Sequence, residues 1–389
     1  MIEKEIPLME QTREPVRVLH IVGSLHPGGM ENFVMNLCEN MDSEKVMSDV
    51  LVHVRREDDQ KYVERIEKKG GHVYELPRLT RKPLMNLHGI TELVQENHYA
   101  VVIRHTPNAL IAPQLWAAQK GGARVVCHSH NETDPKKVLH FLGKIWIKHM
   151  DIERFACSPR AGQWMFGKKT FRIIHNAVNL DKFTFSEQKR EQIRKELNVS
   201  DDTHIYGHVA NFIASKNHQY LIRIFQKILE QDENGICLCI GDGELRPQIE
   251  EETKKLKIAD KVIFMGVRHD ADALMSAMDV MLFPSLFEGL PLTLIEAQAA
   301  GLPILLSDTV TKEVEVTDGL ITWLTIQSEP EQWADVAITK TRSTNSRECQ
   351  RQKLITAGYD IRTLSVWYEN FFRSVQVTRN KGSILIWKN

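Results

Sequence analysis

The sequence predicts an α/β protein of two doubly wound domains. Three observations lead there: the length, the alternation of short apolar runs with helix-period segments, and the way this alternation falls into two blocks. At roughly 100–200 residues per domain, 389 residues suffice for two domains, each with its own core. Strand candidates in the first block are Val16–Val22, Val50–Val54, His72–Leu76, Ala100–Ile103, Arg124–Cys127, Phe155–Cys157 and Arg172–Ile174. Those in the second are Ile205–Val209, Ile236–Ile240, Val262–Met265, Val280–Phe283 and Ile304–Leu306. Many are apolar on both faces, as strands of a parallel sheet covered by helices must be. Between them run segments such as Leu221, Ile224, Phe225, Ile228 and Leu229, whose spacing is that of one helix face. The polar, turn-like stretch Asn176–Gln188 separates the blocks. Rossmann-like domains of this kind bind ligands beyond the carboxyl ends of their strands, so two of them are expected to face each other across a cleft.

Composition narrows the function classes. The net charge of −1 gives no global attraction for nucleic acid. Residues up to Val178 carry 25 Lys/Arg against 21 Asp/Glu, and the remainder 25 against 30. Six scattered cysteines without a C-x-x-C pair read as reduced buried thiols rather than a disulfide frame or zinc site. Residues 1–15 are charged, lack the apolar core of a signal peptide and read as a flexible extension. No run approaches the 18 or so apolar residues of a membrane span, Ser383-Ile-Leu-Ile-Trp387 included. A cytoplasmic location is expected.

The chemistry-bearing motifs all follow strands. His26-Pro-Gly-Gly-Met-Glu31 follows the first strand. There Gly28 and Gly29 let backbone approach an anion at a helix N-terminus, although a plain tight turn needs the same residues. Val125-Val-Cys-His-Ser-His-Asn131 carries His128 and His130 to a strand's carboxyl end, where a histidine can hydrogen-bond a sugar hydroxyl or support developing charge. A metal is not expected, because no third ligand is evident. Lys216, in Ala214-Ser-Lys-Asn217, lies beside a helix N-terminus and suits a diphosphate. Pro284-Ser-Leu-Phe-Glu-Gly-Leu-Pro-Leu-Thr-Leu-Ile-Glu296 is the strongest: a loop around Gly289 and Leu290 able to cradle phosphate, flanked by Glu288 and Glu296 for hydroxyl groups. Gly243, in Gly241-Asp-Gly-Glu-Leu245, can line the same place. In Pro135–Met150, Lys136, Lys137, Lys144 and Lys148 surround an apolar stripe of Val138, Phe141, Leu142, Ile145 and Trp146. With Arg78, Arg81 and Lys82 it could touch anionic lipid, but the stripe is expected to pack on its own domain.

The order of these motifs resembles the retaining GT-B glycosyltransferases of family four. Glu288 and Glu296 match that family's E-x7-E spacing. Phe283-Pro-Ser285, Glu296-Ala-Gln-Ala-Ala-Gly-Leu-Pro303, Gly28-Gly-Met-Glu31 and His175-Asn-Ala-Val-Asn-Leu-Asp-Lys-Phe183 also fit. His128-Ser-His-Asn131, Lys216-Asn-His218 and Ser307-Asp-Thr-Val-Thr-Lys-Glu313 are similar to the exopolysaccharide and capsule branch in particular.

The resemblance implies a GT-B fold with an acceptor domain at 16–178, a donor domain at 179–360, and a last helix near 361–376 that crosses back to the first. It implies transfer of a hexose or N-acetylhexosamine from a nucleotide-sugar, UDP before GDP, to a saccharide or lipid-linked acceptor in bacterial polysaccharide assembly, without metal or cofactor. Lys216 should contact the diphosphate, Glu296 the ribose, and Glu288 the sugar. His130 should be the active-site histidine, with His128 the second choice, and His128 and Asn131 should lie toward the acceptor. One departure stands out: Asn211 occupies the place of the family's usual phosphate-clamping arginine. A charge-assisted contact worth roughly 1.5–3 kcal/mol is missing there, unless a cation such as Arg268 compensates. Two alternatives follow: an epimerase of nucleotide-sugars, separable by product formed without acceptor, and a non-catalytic binding subunit, separable by donor binding without turnover.

Overall fold

A computed structural model describes residues 14–25, 28–56, 59–106, 108–131, 137–342, 347 and 349–380. His26, Pro27, Lys136, most of the N-terminal extension and the tail 381–389 lie outside the described residues. The chain divides into two compact units, one up to Asn176 and again from Ile361, the other Ala177–Asp360.

In the first unit, β1 (Val16–Ile21), β2 (Val46–Val52), β3 (Val73–Glu75), β4 (Val101–Thr106), β5 (Arg124–Ser129), β6 (Glu153–Ala156) and β7 (Arg172–Ile173) form one sheet. Their order is β3-β2-β1-β4-β5-β6-β7, with every pairing parallel. All six residues of β4 are buried, Arg104, His105 and Thr106 included, so only its first half, Val101–Ile103, reads as an apolar run. The last helix, Ile361–Asn380, belongs to this unit. Glu369 Oε1 accepts from Asp42 N at 2.8 Å, and the Phe155 ring meets Trp367 and Phe371 at 5.8 and 5.6 Å between centroids.

In the second unit, β8 (Ile205–Val209), β9 (Ile236–Ile240), β10 (Val262–Gly266), β11 (Val280–Phe283), β12 (Ile304–Ser307) and β13 (Ile321–Leu324) form another parallel sheet. Its order is β10-β9-β8-β11-β12-β13. The helix His218–Leu229 buries Leu221, Ile222, Ile224, Phe225 and Ile228 in one cluster with Tyr206, Cys237, Cys239 and Trp333. Each such side chain contributes about 1.5–3 kcal/mol of burial. The cysteines are free, and all but Cys349 are buried.

Both sheets reverse their strand order once, at β1/β4 and at β8/β11. Such a reversal is where the loops leaving adjacent strands run to opposite faces of a sheet, the usual ligand position in this architecture. No helix among the described residues is long and apolar enough to cross a membrane.

The helix Lys137–His149 corrects one expectation. Its stripe does not pack on its own domain: Phe141, Leu142, Ile145 and Trp146 are 63%, 59%, 48% and 44% exposed. Gly143 takes the inner face instead, because a Cβ there would stand 2.1 Å from the Ala109 carbonyl oxygen. His140, Ile147 and Met150 are buried with it.

Candidate active site

The second unit builds its site at the β8/β11 switch. After β8 the chain makes a short 3-10 turn, Ala214–Lys216, and Asn217 enters the left-handed region at φ 55° to start the next helix. Asparagine tolerates that conformation better than most side chains. Asn217 Nδ2 donates to Pro284 O at 3.1 Å, and Leu286 N donates to Ser215 O at 2.8 Å. These bonds fasten the loop after β8 to the loop after β11. Lys216 Nζ and Glu288 Oε1 consequently form an ion pair, both side chains largely buried. The ammonium also lies 5.5 Å from the Phe283 ring centroid. The two residues read separately from sequence are thus one ion-paired unit.

Beside this pair, a Cβ built at Gly289 would meet no atom of the described residues within 4 Å, so the backbone there is open to approach. Leu290 packs against the unit's core from the same loop. Glu296 lies in the helix Leu292–Ala299, near Lys182 and Asp272. Burial pushes its carboxyl up to about 7; the Lys182 charge opposes the shift and Asp272 adds to it.

Two other expected residues have different partners. The Arg268 guanidinium donates to Asp270 at 2.8 and 2.6 Å and to Glu196 at 2.7 and 3.3 Å. Its fork is spent on two carboxylates, which corrects the idea of a free compensating cation. Gly243 has φ 158°, and a Cβ there would lie 2.6 Å from the Phe212 carbonyl oxygen. Close approach of two loops accounts for this glycine without a ligand. Asn211 is exposed.

In the first unit, Gly28 is the N-cap of the helix Gly29–Asn40, and a Cβ at Gly29 would meet no atom of the described residues within 4 Å. The carboxyl ends of β1, β4 and β5 bring four histidines together. His105 and His128 are register partners across β4 and β5. His20 Nδ1 lies 3.1 Å from His105 Nε2, His105 Nδ1 lies 3.0 Å from His130 Nε2, and His130 Nδ1 lies 3.0 Å from Asn176 Oδ1. Burial lowers His20 to about 4 and His130 to about 3, and holds His105 and His128 well below the usual range. All four rings are neutral at pH 7.

His128 has no exposed surface and lies beneath His130, ring centroids 4.1 Å apart. It cannot touch an acceptor, which corrects its assignment there; His130 keeps partial exposure and Asn131 is exposed. The absence of a third metal-ligand candidate is corrected too. His105 joins His128 and His130, with one nitrogen from each lying within 4.8 Å of the others. Sequence reading missed His20, His105 and the part played by Asn176. A histidine near the carboxyl end of each of three strands was the available signal.

Two family models match: "Glycosyltransferase Family 4" over residues 27–182 and "Glycosyl transferases group 1" over 189–358. EpsF of Bacillus subtilis (strain 168), named as a glycosyltransferase, is 32% identical over 360 residues, covering 88% of this chain and 93% of that protein. The chain belongs to the family-four glycosyltransferases, with the GT-B fold. An Escherichia coli UDP-Gal:alpha-D-GlcNAc-diphosphoundecaprenol alpha-1,3-galactosyltransferase is 24% identical over 243 residues, 58% of this chain and 62% of that one. Among solved structures, HepE of Anabaena in complex with UDP superimposes with TM-score 0.74 at 18% identity, over 92% of this chain and all of that one. A glycosyltransferase of Rickettsia africae gives 0.76 at 16% identity, over 93% and 99%.

Proposed function

We propose that this glycosyltransferase moves a hexose or N-acetylhexosamine from a UDP-sugar to a saccharide or lipid-linked saccharide, with retention, in polysaccharide assembly. The Lys216–Glu288 pair at the β8/β11 switch carries the reading. It sets a cation for the leaving diphosphate against a carboxylate for sugar hydroxyls, beside the open backbone of Gly289. Stabilising the departing diphosphate supplies most of the rate, and neither a protein nucleophile nor a metal is required. The printed names of a relative and a fold neighbour support UDP as the donor's nucleotide and a lipid diphosphate as the acceptor class. Incubation with labelled UDP-glucose, UDP-galactose, UDP-N-acetylglucosamine and GDP-mannose, with and without a lipid-linked saccharide, tests this. A new α-linkage from a UDP donor is expected. Epimer formed without acceptor, or hydrolysis alone, would count against it.

Asn211 favours a second reading, a binding subunit without turnover, because the arginine's charge is missing there and Arg268 is engaged by Glu196 and Asp270. Asn211→Arg is expected to tighten UDP binding about tenfold by calorimetry, since a guanidinium offers phosphate two donors at once. Unchanged affinity in a folded variant would place residue 211 away from the diphosphate. Turnover gained only in the variant would favour the binding subunit.

The exposed face of Lys137–His149 supports peripheral contact with an anionic membrane. Four large apolar side chains lie outward on a helix that contains no acidic residue. The protein is expected to co-sediment with phosphatidylglycerol vesicles and to release them when Phe141 and Trp146 are replaced by serine. Equal binding to purely zwitterionic vesicles would remove the electrostatic half of the reading.

A further inference from the structure

We propose that His105 is a positioning residue for the transfer reaction: oriented by His20, it donates from Nδ1 to His130 Nε2 and so fixes the His130 proton on Nδ1, the nitrogen facing Asn176. The inference rests on the transferase reading for its purpose, and on the histidine geometry alone for its content.

Three imidazoles and one amide form an unbroken file, with links of 3.1, 3.0 and 3.0 Å. A neutral imidazole has one N–H and one bare nitrogen. Each link needs one of each, so the choice made at either end propagates through the whole file. Both ends make the same choice. At one end His130 Nδ1 meets the oxygen of Asn176, which only accepts, so the proton sits on Nδ1. His130 Nε2 is then bare and accepts from His105 Nδ1–H, and His105 Nε2 accepts from His20 Nδ1–H. At the other end this leaves His20 Nε2 as a bare nitrogen, buried and without a partner among the described residues. The opposite polarity would bury an unpaired N–H in that position, and orphaned donors are rarer in folded proteins than under-used acceptors.

The consequence for the site is specific. His130 has no free lone pair with which to take a proton from an acceptor hydroxyl. It has one N–H, held by Asn176, and an oxygen of the sugar can take the place of Asn176 as its acceptor. His130 is therefore a hydrogen-bond donor to substrate rather than a base. His105 touches no substrate, being wholly buried, and acts through His130.

Ring-nitrogen correlation spectra of protein labelled with 15N-histidine read the tautomers directly, without substrate. His105 and His130 are expected as Nδ1–H in the wild type. His105→Leu should leave His130 as a mixture of tautomers and lower kcat roughly tenfold to a hundredfold with donor KM within about twofold, the cost of one misplaced donor. His105→Gln, whose amide can give to His130 and accept from His20, should restore most of both. His130 as Nε2–H in the wild type would overturn the inference even if His105→Leu fails to fold. A single unchanged tautomer with unchanged kcat in His105→Leu would overturn it equally. If no sugar transfer is found at all, the transferase reading fails while the tautomers still decide the file.

Discussion

Glu288→Gln is expected to bind UDP about tenfold more tightly while turning over roughly a hundredfold to a thousandfold more slowly. The first effect follows from the ion pair. The Lys216 ammonium is held by the Glu288 carboxylate, with both side chains largely buried. An incoming diphosphate must compete for that ammonium and also approach a negative charge. An amide of the same shape removes both penalties, and about 1.4 kcal/mol of relief corresponds to the tenfold gain. The second effect follows from the proposed sugar contact. Hydrogen bonds that tighten as charge develops on the sugar act on turnover rather than on ground-state binding. Lys216→Ala should behave in the opposite way, losing UDP affinity with Glu288 left unpaired. Calorimetry with UDP and initial rates at saturating donor separate the two. Weaker UDP binding by Glu288→Gln would mean that the carboxylate holds the nucleotide directly.

Donor binding should also depend on pH through Glu296. Its carboxyl is pushed up to about 7 by burial, from an ordinary value of 4.5. Ribose hydroxyls donate hydrogen bonds and favour the ionised form, so UDP binding should drive a proton off. Affinity is then expected to rise with pH through the region of 7 and to fall by up to about tenfold per unit below it. Calorimetry at pH 7 in buffers of different ionisation enthalpy counts the released proton. Glu296→Gln should release none and bind more weakly at pH 8. The same shift carries a stability consequence of definite sign. A carboxyl raised on folding costs nothing below about 4.5 and costs progressively more as pH rises to about 7. Glu296→Gln should therefore raise Tm at pH 8 and leave it nearly unchanged near pH 4.5. Identical proton counts for wild type and variant would dissociate Glu296 from the nucleotide.

Much of this fold was legible because its strands announce themselves. Ile205–Val209, Ile236–Ile240 and Val280–Phe283 match the structure end for end, being short runs buried on both faces. Ile321–Leu324 escaped notice, because an edge strand with one fully buried residue carries little apolar signal. The start of β2 was hidden for another reason. Asp49 sits buried in mid-strand, paired with Arg17 and bonded to Tyr99, and a charge in that position reads locally as a loop. The same limit applies to the site. Lys216 and Glu288 lie in loops with distinctive spacing and could be singled out, but their ion pair depends on two loops being fastened together. His20 and His105 sit inside apolar strands, where a histidine passes for core; only the strand order brings them to His130.

The last helix has a consequence for how the protein comes off the ribosome. Residues 177–360 form a unit inserted within the first, and the chain returns at Ile361 to complete it. At the crossing, Val178 N donates to Tyr359 O at 2.9 Å, and Val178 bridges Asp360 in parallel. Tyr368 and Phe372 are fully buried in the helix that closes the first unit, alongside Phe155. Until they are synthesised, the face around Phe155 has no cover. The second unit can finish folding as soon as its own strands have emerged, so the half of the chain made first is the half that matures last. A nascent chain interrupted anywhere before the final twenty residues of structure exposes an aromatic surface to chaperones and proteases, however well its second unit has folded.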